Sequence, residues 1–256
     1  MTAPASSAPS RQPTTDDGVF RVERLELAFA PRRWPFADDR RAEIDRHFEE
    51  LQRLKPAVWN GRILLLRDHA IVGGVSRGEY FETDYASFVA WREWGFPDTT
   101  VRNCFSLGAL RAADGGFLLG VMSEHTLNSG KIYFPAGTPE PGDIVGGQVD
   151  LAGSIIREIA EETGLGADAY RAESGWYCVP GPTHIAHFKM LHVDGDAPAL
   201  RQRILANLAS QREPELADIL IARREGDLDP MMPPFVMTFL RHFWQRPERA
   251  EEGHDS

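Results

Sequence analysis

The segment Leu151–Thr163 constrains the fold of this chain more than any other part of the sequence. Its apolar residues recur with the period of an amphipathic helix, and the Gly164 that follows is the residue type expected just beyond a helix end. Glu158, Glu161 and Glu162 stand at positions i, i+3 and i+4 of that helix, so their carboxylates project from one side. The sequence therefore predicts a single helix that presents three acidic groups together.

These three glutamates can be interpreted as a metal site or as a solvated acidic face. Like charges at this spacing repel one another by about 0.2–0.5 kcal/mol per pair in water. A hard divalent cation removes this cost, because Mg²⁺ takes oxygen ligands and keeps waters and substrate phosphates in its coordination shell. The neighbouring Arg157 could orient one carboxylate through a fork-like pair. An E-x-x-E-E cluster taken alone is more often a solvated face.

Strand signals lie on both sides of this helix. Alternating apolar and polar residues, bounded by turn dipeptides, predict strands at residues 20–30, 62–75, 77–85, 102–112, 117–124, 131–137, 175–181, 184–193 and 216–224. Helical periodicity is found at residues 38–54, 85–94, 200–210 and 234–246. Strand pairs with a few helices on their faces predict an α+β sandwich.

Composition divides the chain into four parts. Residues 1–18 are rich in Ala, Ser, Pro and Thr without an apolar period, and residues 248–256 are similarly polar, so both are predicted to be disordered tails. Residues 19–100 are predicted to form a mixed α/β extension, and residues 101–247 are predicted to form a second, strand-rich domain. With 256 residues, of which 42% are hydrophobic, the chain has enough apolar material for these two units.

The charge balance excludes one class of partner and leaves another open. A formal net charge of −10 argues against broad nucleic-acid binding, which needs a basic surface. An anionic small substrate is still compatible, since a bound divalent cation reverses the local sign of a site. No apolar run reaches the about 20 residues that span a bilayer, and the N-terminus lacks the layout of a signal peptide. We therefore expect a cytoplasmic protein that binds no membrane.

The cysteines and histidines show no zinc or disulfide pattern. Cys104 and Cys178 lie far apart, with no second cysteine or histidine at ligand spacing, so two buried thiols are predicted. His184, His187 and His192 lie on one predicted strand, where the spacing of the first two puts them on opposite faces. This argues against a transition-metal site and favours substrate contact or surface histidines.

The helix and the loop before it resemble the Nudix box, G-x5-E-x7-R-E-U-x-E-E-x-G-U, in which U is a bulky apolar residue. The segment R-E-I-A-E-E-T-G-L, which begins at Arg157, matches the second half of the box. The segment F-P-A-G-T-P-E-P-G-D is similar to the first half, with Gly137 at the box glycine and Asp143 where the family has Glu. Thirteen residues instead of seven then precede Arg157, most simply as a longer loop.

The resemblance implies a fold, a cofactor and a set of ligands. The fold would be a Nudix-like α/β/α sandwich with a mixed sheet, and the cofactor would be Mg²⁺, with Mn²⁺ as an alternative. Glu158, Glu161 and Glu162 would be metal ligands, and Glu158 would also help to activate water. The backbone carbonyl of Ala136 or Gly137 would complete the metal site.

The remaining polar positions are implied less directly. Arg157 would hold the glutamates in place. Asp143 or Asp150 could stand for the first acid of the box, or neither, and Asp150 is also predicted to cap the helix. Many members of the family take a further acid from a later loop, for which Glu213 and Glu215 are candidates beside a solvated loop.

The N-terminal extension looks similar in layout to Nudix members that hydrolyse nucleoside-diphosphate sugars. Those have an asparagine-marked strand and then a T-x-Y-x-x-F segment, here Thr83, Tyr85 and Phe88. We therefore expect cleavage of the pyrophosphate in a nucleoside diphosphate linked to another group, with a nucleotide sugar favoured. The alternatives are a coenzyme A, dinucleotide or modified nucleoside triphosphate substrate, and a catalytically silent nucleotide-binding module. A homodimer is one assembly that the resemblance implies, and no pattern identifies the substrate-binding residues.

Overall fold

The computed structural model describes residues 18–56 and 58–245 of the chain. Its strands are β1 Phe20–Val22, β2 Arg24–Phe29, β3 Arg62–Val72, β4 Val75–Asp84, β5 Asn103–Ala112, β6 Phe117–Met122, β7 Ile132–Tyr133, β8 Ala136–Gly137, β9 Ile144–Val145, β10 Gln148–Val149, β11 Arg171–Ala172, β12 Trp176–Pro180, β13 His184–Val193 and β14 Leu216–Ala222. Its α-helices are α1 Pro35–Asp39, α2 Arg41–Leu54, α3 Tyr85–Glu93, α4 Leu151–Thr163, α5 Ala197–Leu208 and α6 Pro234–Gln245. Within the described residues, no helix combines the length and the apolar character needed to cross a membrane.

The strands form two mixed sheets. The large sheet has the order β1-β12-β13-β5-β6-β14, with β11, β8 and β7 paired to β13, β5 and β6. The small sheet has the order β3-β4-β2-β10-β9. Parallel pairing joins β13 to β5 and β2 to β4, whereas neighbours such as β3 and β4 are antiparallel. Mixed sheets combined with helices confirm the predicted α+β class.

The large sheet is covered on both faces, as in the predicted α/β/α sandwich. On one face, Phe239 of α6 stacks on Phe188 of β13 with ring centroids 4.1 Å apart. The other face packs against α4, α5 and the small sheet, and Ile159, Ile204 and Leu66 represent these three elements in one buried cluster. Each such side chain contributes about 1.5–3 kcal/mol through burial. The far face of the small sheet packs against α1, α2 and α3.

The N-terminal extension and the second block exchange strands. β1 pairs with β12 in the large sheet, and the hairpin β9–β10 pairs with β2 in the small sheet. Gly146 and Gly147 form the hairpin turn with φ of 58° and 79°, a conformation that favours glycine. The stretch predicted to be a longer loop is therefore partly a hairpin, because its strands can extend the small sheet. The domain boundary near residue 100 stays a prediction.

Two predicted elements differ locally from the structure. The strand predicted over residues 20–30 breaks at Glu23, whose N–H donates to the carbonyl of Gly74, and its two parts enter different sheets. The helix predicted over residues 38–54 starts earlier and is divided at Arg40 into α1 and α2. Most of the two predicted tails, residues 1–17 and 248–256, lies outside the described residues.

Helix α4 begins and ends where its local signals predict. The Asp150 carboxylate accepts hydrogen bonds from the N–H groups of Ala152 and Gly153 at 3.1 and 3.0 Å. Gly164 ends the helix with a φ of 72°, and its N–H donates to the carbonyl of Ala160. A side-chain acceptor at one end and a left-handed glycine at the other therefore fix the length of this helix.

Replacing Asp150 by alanine should lower the free energy of unfolding by about 1 kcal/mol, because two N–H groups at the start of α4 lose their acceptor. Urea unfolding of the purified variant measures this change. Asp150→Asn is the matched control, since asparagine caps a helix equally well and should cost little. An alanine variant as stable as the wild-type protein would contradict the capping role.

Candidate functional site

The acidic helix α4 contacts strand β8 through Glu158. Strand β8 pairs with β5, which places Gly137 opposite Ser106 in the large sheet. A β-carbon on Gly137 would stand 2.7 Å from Cδ of Glu158 and 2.9 Å from its Cγ, so a side chain at this position would force the end of the Glu158 side chain to move. Gly108 of β5 gives similar room to Ile159, whose Cγ1 would lie 2.9 Å from a β-carbon there. The two parts of the box-like pattern are thus in contact.

Asp143 is the acid that faces the arginine of α4. It is buried, and Nη2 of Arg157 donates to its Oδ1 at 2.7 Å while the N–H of Glu140 donates to its Oδ2 at 2.9 Å. The N–H of Asp150 donates to the carbonyl of Asp143 at 2.9 Å. The first and last residues of the β9–β10 hairpin therefore lie next to each other. Asp143 therefore takes the position beside Arg157, whereas the side chain of Asp150 caps the helix.

This contact gives Arg157 a hydrogen-bond partner outside the three glutamates. We expected its guanidinium to hold a glutamate of α4, but its described hydrogen bond is with Asp143. That Arg157 holds the glutamates in place therefore stays a prediction. Arg157 still acts on Glu158 through its charge, which opposes the rise in the pKa of that carboxyl.

Burial and like charge dominate the electrostatics of the glutamates. Burial, followed by the charges of Glu161 and Glu215, raises the pKa of Glu158 to about 7. Burial and the charges of Glu158 and Glu215 raise the pKa of Glu162 well above its usual range, against a smaller opposing effect of the Ala136 amide. Each carboxylate therefore disfavours ionisation of its neighbours, a condition that a cation relieves.

Of the two acids predicted on the later loop, Glu215 joins the cluster and Glu213 does not. Glu215 lines the same cavity as Glu162 and acts on the pKa values of both Glu158 and Glu162. Glu213 is exposed, and no described contact joins it to α4. No three acidic side chains of the described residues bring carboxylate oxygens within 4.8 Å of one another. Within the described part of the chain, these carboxylates therefore do not converge on one point.

Two cavities meet beside this cluster and share Asn128, Tyr133 and Ala136. The acidic cavity, of about 340 Å³, has Glu162 and Glu215 in its wall. The aromatic cavity, of about 310 Å³, is lined by several rings and by two cationic side chains. A ligand that extends from one cavity to the other would therefore pass from an acidic environment to an aromatic and basic one.

Apart from His184, the following residues of the aromatic cavity were not identified by sequence patterns. Phe235 lies with its ring 5.5 Å from that of Phe105 and 5.1 Å from that of His184, and Arg92 and Lys131 complete the wall. These residues come from α3, β5, β13, α6 and the loop before β7, so no local spacing joins them. His184 lies in this cavity while His187 is buried on the opposite face of β13, as the strand period predicted.

Comparison with known proteins gives a weak similarity to Nudix hydrolases. No family model matches the sequence, and no curated protein matches it. The Nudix hydrolase RenU from M. smegmatis aligns with 14% identity and a TM-score of 0.34 over 56% of this chain and 82% of its own. The MutT protein from Methanosarcina mazei Go1 aligns with 17% identity and a TM-score of 0.36 over 56% of this chain and 94% of its own.

A bifunctional protein is also among the similar structures. The NMN adenylyltransferase/ADP ribose pyrophosphatase from Francisella tularensis aligns with 14% identity and a TM-score of 0.40. The alignment covers 62% of this chain and 45% of the bifunctional protein. The sequence resemblance to the Nudix box is confined to the residues from Gly137 to Leu165.

Asp143 and Arg157 should be energetically coupled. Asp143→Asn should cost about 1–3 kcal/mol, because a buried group loses its charge-assisted hydrogen bond. Arg157 is 42% exposed, so solvent screening should hold the coupling energy in an Asp143→Asn, Arg157→Gln cycle to about 1 kcal/mol. Urea unfolding of the four proteins measures it. The pair Asp150→Asn and Arg157→Gln is the control and should be additive; additivity for Asp143 would contradict the ion pair.

Proposed function

We propose that this protein is a Nudix-type hydrolase that cleaves the phosphoanhydride of a nucleoside diphosphate linked to another group, with Mg²⁺ or Mn²⁺ as cofactor. The contact of Glu158 with Gly137, at the centre of a carboxylate cluster, is the observation that carries this proposal. The cluster also contains Glu161, Glu162 and Glu215 and opens to the acidic cavity. In a solvated acidic face, the carboxylates would all point into water. Here Glu158 lies against Gly137 and Glu162 is buried.

The residues of the cluster fit a hard divalent cation. All side-chain donors are carboxylate oxygens, which suit Mg²⁺ and Mn²⁺, and Oε2 of Glu162 is buried with no hydrogen-bond partner among the described residues. Glu158, Glu161 and Glu162 would hold the ion, with the backbone carbonyl of Ala136 or Gly137. Such an ion, once bound, supplies Lewis-acid polarisation of a phosphoryl oxygen and of the attacking water.

The chain's own groups position the water and the phosphates. Glu158 is held between α4 and the backbone of Gly137, so it is placed to take the proton of a water that attacks phosphorus in line. Glu215, on the loop before β14, adds a further carboxylate to the wall of the acidic cavity. The ion pair of Asp143 and Arg157 holds α4 against the loop that follows β8. Because water is the nucleophile, no side chain has to form a covalent intermediate.

The aromatic cavity supports a nucleoside as part of the substrate. The rings of Phe105, Phe235 and His184 offer apolar surface and edge contacts to a base. Arg92 and Lys131 bring positive charge to the wall of this cavity in a chain whose net charge is −10. These two cations are suited to bind phosphate oxygens that approach the neighbouring carboxylate cluster.

A nucleotide sugar is the substrate that we favour. The segment that looks similar to sugar-nucleotide hydrolases lines both cavities, since Tyr85 lies in the acidic cavity and Phe88 in the aromatic one. Thr83 of the same segment is buried in β4. The rival substrates are a coenzyme A, a dinucleotide and a modified nucleoside triphosphate. The catalytically silent module was an alternative because the first half of the box is altered. The Asp143–Arg157 contact joins the altered half to α4, which favours the enzyme.

Neutralising one glutamate of α4 should remove most of the metal-dependent turnover. Glu162→Gln keeps the shape of the side chain but loses a charged oxygen ligand, which should lower kcat/KM by about 100-fold or more. Release of phosphate-containing products with and without Mg²⁺ measures the effect. Glu213→Gln, at an exposed residue outside the cluster, is the control and should leave activity unchanged. Full activity of the Glu162→Gln variant would overturn the proposal.

The aromatic cavity should determine which substrate is bound. Arg92→Ala should lower kcat/KM for a nucleotide sugar by about 10–100-fold, since one charge-assisted contact to phosphate is lost. Arg46→Ala, at an exposed arginine of α2, is the matched control and should have no effect. A panel of nucleotide sugars, coenzyme A, dinucleotides and nucleoside triphosphates separates the substrate classes. Thermal stabilisation by a nucleotide without any product over long incubation would support the silent binding module instead.

A further inference from the structure

A second cluster of chemically reactive side chains is buried between the two sheets, apart from the carboxylates. One potential ligand atom from each of His69, Cys178 and His187 lies within 4.8 Å of the other two. Cys178 and His187 are buried, and His69 is half-buried. The cavity at His69 shares no lining residue with the acidic or the aromatic cavity. This group is therefore not part of the site described above.

Strand pairing in the large sheet places two members of the group side by side. Cys178 of β12 and His187 of β13 are directly opposite each other in the antiparallel register. Opposite residues in such a pair have their β-carbons about 4.5–5.5 Å apart and project from the same face of the sheet. That face is the one that packs against the small sheet. Both side chains therefore project into the space between the sheets.

A bulge in the small sheet supplies the third member. The register of β3 against β4 shifts between Arg67 and Ala70, so Asp68 and His69 together oppose one residue of β4. Asp68 has a φ of 53°, a left-handed conformation that is uncommon outside glycine. Such bulges redirect side chains. Here the bulge directs His69 toward the large sheet, where Ser76 Oγ lies 2.9 Å from the Nε2 atoms of both His69 and His187.

The donor set of this group differs from that of the carboxylate site. Two imidazole nitrogens and one sulfur are ligands for borderline ions such as Zn²⁺, whereas Mg²⁺ prefers oxygen. We propose that His69, Cys178 and His187 bind one Zn²⁺-type ion that ties the small sheet to the large one. On binding, the Cys178 thiol releases its proton to solvent and the sulfur coordinates as thiolate, while both imidazoles coordinate as neutral rings.

One member of this group, His69, faces a cavity. A cavity of about 480 Å³ opens beside the bulge and is lined by His69, Asp68, Thr100 and Arg102. Three protein ligands leave one position of a tetrahedral shell for water. The cavity brings water and a hydrated ion as far as His69, the half-buried member of the cluster.

Sequence spacing argued against such a site, and strand pairing explains why. The three residues lie on three strands of two sheets, so no short ligand motif joins them. The ordinary interpretation is a hydrogen-bonded network, in which Ser76 bridges the histidines and Cys104 Sγ contacts Nδ1 of His187 at 3.5 Å. In the network, Ser76 and Cys104 are hydrogen-bond partners of His187, whereas in the metal site neither is a ligand. Substitutions of these two residues therefore distinguish the two interpretations.

Cobalt loading of the full-length protein tests the proposal. The protein is stripped of metal with a chelator and titrated with Co²⁺, which occupies zinc sites and gives a thiolate-to-cobalt charge-transfer band when sulfur is a ligand. We expect one such site per chain, and zinc should compete for it and raise Tm. The carboxylate cluster has only oxygen ligands and gives no thiolate band. The band should therefore persist in Glu162→Gln. A wild-type protein that gives no thiolate band would overturn the proposal.

Matched variants decide which side chains are ligands. Cys178→Ser should abolish the thiolate band, whereas Cys104→Ser and Ser76→Ala should retain it. His69→Gln, at the half-buried edge, should weaken Co²⁺ binding by about 10-fold or more, and it decides the matter if Cys178→Ser does not fold. A band that survives in Cys178→Ser, disappears in Cys104→Ser, or keeps full affinity in His69→Gln would overturn the proposal.

Discussion

The packing of Glu158 against the bare backbone of Gly137 sets the position of everything else around the carboxylates. The carboxylate of Glu158 can lie where it does because position 137 has no side chain. The capping carboxylate of Asp150 and the left-handed Gly164 fix where the helix begins and ends. The buried Asp143 then fixes the rotation of the helix through Arg157.

Local signals predicted α4 to the residue, and the same reasoning could not decide how its neighbours assemble. A capping aspartate, an apolar period and a terminal glycine all act within one helix, so they can be read without knowing the fold. The choice between Asp143 and Asp150 depends on a hairpin whose strand β10 pairs with β2, far away in sequence. The aromatic cavity depends in the same way on segments that only the folded sheet brings together.

Strand exchange explains why the N-terminal extension matters to the site. β1 adds to the large sheet and β9–β10 adds to the small one, so neither sequence block completes its sheet alone. Helix α3, which follows β4 of the small sheet, carries Phe88 and Arg92 into the aromatic cavity. The groups proposed to cut the bond therefore come from the second block together with its acidic loop, whereas those proposed to choose the substrate come from both blocks.

The hairpin between Asp143 and Asp150 has a consequence for how proteins like this one are recognised. Its two ends are joined by a single hydrogen bond of 2.9 Å, so the length of chain between them does not alter the spatial relation of Gly137, Asp143 and Arg157. A motif written with fixed intervals counts residues, whereas chemistry depends on the positions of atoms. Insertions that leave and re-enter the fold at one point thus hide a site from pattern matching while keeping its geometry, and searches that tolerate them should find more such chains.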